Sequence, residues 1–213
     1  MNRARFGLPL AGALALLPLL LLWSTLRHMI ESRMSLHMLV EFPALFAAGW
    51  AAHRLLAVDL RLPQASSKLV LLDWGGLTGA SLVTCVGVFW MIPSALDATL
   101  LLTPIAAAKY ASWWLAGLVL AGSWRRMEPE ILLFFVGNLS WMSATAGMLY
   151  MDAPARLCAN YLLDEQRSTG TGLVLLALAL GALALRQVMR LGVPRAATPG
   201  TQRPVLKPTK TAR

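Results

Sequence analysis

The feature that most constrains this chain is a succession of long apolar runs that hold almost no charge. A helix needs about 20 mostly apolar residues to cross a bilayer. Six stretches of that kind follow one another, near 6–26, 35–53, 74–92, 105–124, 131–151 and 168–186. The second contains His37 and Glu41 and the fourth contains Lys109; other charges gather at the ends of the runs. The pattern predicts an all-α fold, a polytopic integral membrane protein built as a bundle of about six transmembrane helices. Composition agrees: 57% of the 213 residues are hydrophobic and 14% are charged, against about 25% charged in a soluble domain. Arg3 and Arg5 precede the first run as they would in a signal peptide. The run is long and no small-x-small cleavage site follows it, so it reads as a retained helix.

The formal charge of +9 does not point to nucleic acid, because the basic residues sit where topology signals belong. Arg3, Arg5, Arg54, Arg61, Lys68, Arg125, Arg126 and the basic residues after 185 fall on one side of a six-span bundle. Arg27, Arg33, Arg156 and Arg167 fall on the other. The positive-inside rule then puts both termini in the cytoplasm, and a bacterial inner membrane fits that pattern. Residues 193–213 alternate prolines with basic and small polar residues. They are expected to form a disordered tail that lies on anionic headgroups.

With sides assigned, methionine and histidine collect at the outer face. His28 and Met29 lie in the first outer loop. Met34, His37, Met38 and Glu41 follow at spacings that share one helical face, and Met91 ends the third run. Thioether with imidazole is a ligand set for Cu(I). Met34, His37, Met38 and Met91 are therefore candidate copper ligands, with His28 and Met29 as a capture site. The same methionines also suit plain packing, since Met is a common filler of helical cores. Glu41 reads as a hydrogen-bonded partner that fixes the His37 ring. Lys109 reads as a side chain snorkelling to the interface. Asp97 reads as a helix cap, a partner of Lys109 or a ligand. Cys158 in the last outer loop is a copper ligand if ionised. With Cys85 inside an apolar run, no disulfide is expected. His53, beside Arg54, is assigned no role. Glu165 sits at the positive end of the last helix dipole, and Gly170 and Gly172 permit close helix contact.

Several of these residues form an ordered pattern. Trp90-Met91-Ile92-Pro93 with Leu96-Asp97-Ala98, Leu115-Ala116-Gly117 with Trp124, Glu165-Gln166 with Gly170, and His37-Met38 with Pro43 and Gly49 together resemble the CtaG family of cytochrome c oxidase assembly factors. The resemblance runs from about residue 29 to residue 185. The chain departs from the family where Met91 replaces a histidine, where Lys109-Tyr110 replaces a Glu-His pair, and where Glu165 replaces an aspartate. The resemblance implies a membrane-embedded factor that supports copper delivery to a haem-copper oxidase. Its partner would be an oxidase subunit within the lipid bilayer, and Asp97, Glu165 and Gln166 would be supporting groups. The alternatives are a metal-free scaffold for that subunit and a small metal transporter. No Ser-His-Asp set, phosphate loop or cysteine pair suggests an enzyme.

Overall fold

The computed structural model describes residues 12–59, apart from 14 and 22, and residues 74–192. Among the described residues there are helices and no strands. Helix α1 covers Leu17–Leu21 and α2 covers Ser24–Glu31. Helix α3 is one rod in three pieces: an α-helical turn Met34–Leu36, a π-helical turn His37–Glu41 and the α-helix Phe42–Asp59. There follow α4 (Leu77–Trp90), α5 (Pro93–Leu101), α6 (Thr103–Ser123), α7 (Pro129–Asp152) and α8 (Leu163–Gly192).

Proline sets three of the helix starts. Pro93, Pro104 and Pro129 each occupy the first turn of a helix, where the missing N–H would have no helical partner anyway. Pro93 also starts α5 just past the third apolar run. Helices α4 and α5 meet at 76° across Met91 and Ile92, so the chain turns sharply where the run near 74–92 ends.

Four helices are long and apolar enough to cross a membrane: Met34–Leu56, Thr103–Ser123, Pro129–Asp152 and Leu163–Met189. A fifth results if the bent pair α4–α5 counts as one span. These agree with the expected runs near 35–53, 105–124, 131–151 and 168–186. The expected run near 6–26 starts outside the described residues. Its described part is divided at Trp23 between α1 and α2. The expected tail 193–213, and with it much of the basic side of the charge count, also lies outside the described residues.

Helix α6 is the hub, packing along α3 on one side and α4 on the other, while α7 and α8 form a second pair. Close approach of backbones at small residues is a common way for long apolar helices to pack. Glycine supplies that closeness at two crossings. A Cβ on Gly49 would overlap the Trp114 carbonyl, and one on Gly117 would overlap the Phe46 carbonyl. In the α7–α8 pair, a Cβ on Gly170 would lie 2.6 Å from the Gly147 carbonyl oxygen. The starts of α3, α6 and α8 and the ends of α4 and α7 all fall at one end of the bundle. Most of the buried polar residues lie there.

Candidate functional site

Four ionisable side chains meet inside this end. Glu31 is the last residue of α2, His37 and Glu41 lie on the π turn of α3, and Lys109 lies in the second turn of α6. His37 and Lys109 are fully buried, and Glu41 is 2% exposed. The Lys109 Nζ lies 2.7 Å from Glu31 Oε1, 2.9 Å from Glu41 Oε1 and 2.8 Å from His37 Nε2. An ammonium has three protons, and each is used. The π turn is part of the cause: its wider winding brings His37 and Glu41 together on Lys109, and such turns recur at functional positions.

The bond directions follow from lysine having no acceptor. His37 Nε2 must accept from Lys109, so the ring is neutral and its proton sits on Nδ1. That N–H donates to the Tyr161 hydroxyl at 2.6 Å, and the hydroxyl donates to the Glu31 carbonyl at 3.0 Å. The ring orientation is therefore set by Lys109 and Tyr161, not by Glu41 as the sequence suggests. The same tautomer means that His37 cannot donate to Glu41 Oε2, which is buried without a hydrogen-bond partner. That oxygen lies 3.6 Å from His37 Nε2, whose lone pair is already turned to Lys109.

Arg27 completes the charge balance. Its Nε donates to Glu31 Oε2 at 2.7 Å, and its Nη2 donates to the Thr99 carbonyl on α5 at 2.6 Å. Two cations then face two carboxylates. The Tyr110 hydroxyl donates to Glu31 Oε1 at 3.3 Å.

A second polar assembly closes the same end. Asp97 on α5 accepts from the Ala159 N–H at 2.7 Å, the Asn160 N–H at 3.3 Å and the Asn160 side chain at 3.0 Å. Gln166 on α8 accepts from the Leu157 N–H at 2.7 Å and donates to the Tyr150 carbonyl at 3.1 Å. The Tyr150 hydroxyl donates to the Met91 carbonyl at 2.8 Å. These bonds fasten the 153–162 loop over the end of the bundle. Cys158 is 1% exposed beneath it. Burial and then the Asp97 charge push its thiol up to about 12. Burial first, then Glu31 and Glu41, pushes the Tyr161 phenol up as well.

The sequence-derived candidates fall in different places. Met34 and Met38 belong to the buried apolar core, and Met91 packs against it. His28 is exposed on α2, and Met29 is 66% exposed. Of the six candidate metal ligands, only His37 joins the charged cluster. Asp97 binds the loop and not Lys109. Glu165 receives the Ser35 hydroxyl at 3.4 Å and the hydroxyls of Ser168 and Thr169 on its own carbonyl. Lys109 does not snorkel; its ammonium is fully enclosed. Cys85 and Cys158 are both free. Glu31 and Tyr161 carry no sequence signal for their place in the cluster. Glu31 sits among the polar residues of a segment read as loop, and Tyr161 is distant in sequence from both its hydrogen-bond partners.

The residues that meet Lys109 offer oxygen and nitrogen atoms, and both ring nitrogens of His37 are engaged. This set does not fit Cu(I), which selects thioether and thiolate. No protein-family model, curated protein or solved structure matches the chain. The fold and site define a helical protein with membrane-length spans and a closed, charge-balanced cluster at one end.

Proposed function

We propose that this chain is a metal-free scaffold for a subunit of a haem-copper cytochrome oxidase, acting during assembly of that enzyme. It would sit in a bacterial inner membrane with about six spans and both termini cytoplasmic, its cluster facing the periplasm. The resemblance of its ordered motifs to CtaG-type factors supports the oxidase, and the observation that carries the metal-free reading is Lys109. Its ammonium takes up the ligand atoms of Glu31, His37 and Glu41 that a cation would need. Copper delivery through His37 would first require that ammonium to leave. A transporter reading gains little from the cluster. Next to it, the α3–α6 interface is filled by Leu45, Ala48, Gly49, Ala116 and Gly117, all buried, and offers an ion no polar path.

The test is affinity purification of the full-length protein from native membranes. The expected result is an oxidase subunit in the eluate, substoichiometric copper on the purified chain, and less assembled oxidase when the chain is deleted. Stoichiometric copper that is lost in His37→Ala would replace this reading with copper delivery. Normal oxidase levels in the deletion strain would remove the oxidase from it altogether.

A further inference from the structure

We propose that Glu31, His37 and Glu41 make up a ligand set for a divalent cation of the zinc class, and that the Lys109 ammonium stands in for that ion. One oxygen or nitrogen from each residue can be chosen so that all lie within 4.8 Å of one another, and all three residues are buried. Acidic groups near one another do not make a metal site, so a second observation is needed. Glu41 Oε2 provides it: a buried carboxylate oxygen without a hydrogen-bond partner, 3.6 Å from the imidazole nitrogen that faces the cluster. A carboxylate oxygen and an imidazole lone pair that both point inward repel each other unless a cation lies between them. Lys109 meets that imidazole nitrogen and the other oxygen of Glu41, so the requirement is answered for the ring and left open at Oε2.

The chemistry of the set is specific. Two carboxylates and a neutral imidazole are borderline-to-hard ligands that suit Zn2+ and its spectroscopic substitute Co2+. The lysine-to-ligand distances are 2.7 to 2.9 Å, and zinc ligands stand at about 2.0 to 2.2 Å. An ion would draw the three groups inward by about 0.7 Å each on those values. Three protein ligands leave a fourth position open. Arg27 remains on Glu31, so the loaded site carries more positive charge than the lysine-filled one. An anionic fourth ligand such as chloride or hydroxide would offset the difference.

The inference deepens the metal-free reading, because it says why the wild-type cluster holds together without an ion. The experiment is a Co2+ titration of the purified full-length protein in detergent, followed by visible absorption. Lys109→Ala is expected to bind one equivalent with the intense bands of a four-coordinate ion, and Lys109→Ala with His37→Ala is expected to lose them. Wild type should bind on the order of 100-fold more weakly, since the ion must break a buried ion pair to enter. A Lys109→Ala protein that folds only when Co2+ or Zn2+ is supplied also supports the proposal. A folded Lys109→Ala protein without Co2+ bands overturns it. So do bands that survive His37→Ala, wild-type binding as tight as the variant's, or a variant that neither metal can fold. Oxidase co-purification is measured on the wild-type chain without added metal, so either proposal can fail alone.

Discussion

Two polar assemblies fasten the same end of this bundle, and they do so by opposite means. The Lys109 cluster carries formal charge and joins α2, α3 and α6 through side chains that are almost wholly buried. The Asp97–Gln166 clasp is exposed at its Asp97 end and holds a loop mainly by its backbone N–H groups. Charges in a low-dielectric interior are stable only as a complete set. Hydrogen bonds at a partly exposed edge can be exchanged for water one at a time. The cluster should therefore fail as a unit and the clasp by increments.

The largest effect tests that contrast directly. Lys109→Ala leaves Glu31 and Glu41 buried with only Arg27 to balance them. Removing one partner of a buried pair costs about 3–5 kcal/mol, enough to lower the folded yield in detergent sharply without added metal. Adding Glu41→Gln to Lys109→Ala removes the surplus charge and should recover part of that loss in a thermal-unfolding measurement. A double variant no more stable than the single one would show that geometry, not charge balance, governs the cluster. Tyr161→Phe comes next. It keeps every charge but strands the His37 Nδ1–H and the Glu31 carbonyl, at a cost of about 1–3 kcal/mol.

The clasp should respond more weakly. Asp97→Ala gives up bonds to a loop that water can partly replace, so a loss of about 1 kcal/mol is expected. Faster backbone hydrogen exchange should be confined to Ala159 and Asn160. Exchange that also rises across α3 and α6 would mean that the two assemblies are coupled.

The same contrast separates what the sequence made legible from what it hid. The spans could be read because hydropathy is a local property: an uncharged run such as 131–151 can be recognised without knowing what it touches. The bend between α4 and α5 could be read in part, since Pro93 follows the end of a run. The cluster could not be read, because its members look ordinary in their own surroundings. Lys109 in isolation looks like a residue that would reach for the interface, and only the packing of α6 on α3 encloses it. The His37–Glu41 spacing was visible as a shared helical face. Its meaning depended on a lysine 72 residues from His37 and a tyrosine 124 residues from it. The methionines drew attention as soft ligands, but Met34 and Met38 serve as core.

The smallest effect concerns Cys158, the buried thiol under the clasp. Burial and the neighbouring Asp97 hold its thiol up at about 12, against about 8.5 for an ordinary cysteine. The unfolded chain therefore loses this proton at a lower pH than the folded chain does. The thiol contributes its full stability below about pH 8.5, and the contribution declines as pH rises from there toward 12. Reactivity follows the same logic, because the thiolate is the nucleophile. With Cys85, which is exposed, first replaced by alanine, alkylation of Cys158 should be slow at pH 7. The rate should keep rising without a plateau to at least pH 10. Asp97→Asn removes the neighbouring charge and should raise the rate at every pH by loosening the loop and easing ionisation together. Asp97→Ala in the same assay separates the two, since it removes the hydrogen bonds as well as the charge. If the alanine variant reacts much faster than the asparagine variant, loop opening limits access to the thiol. If the two react alike, the charge of Asp97 is the dominant control, and it acts by repelling the thiolate.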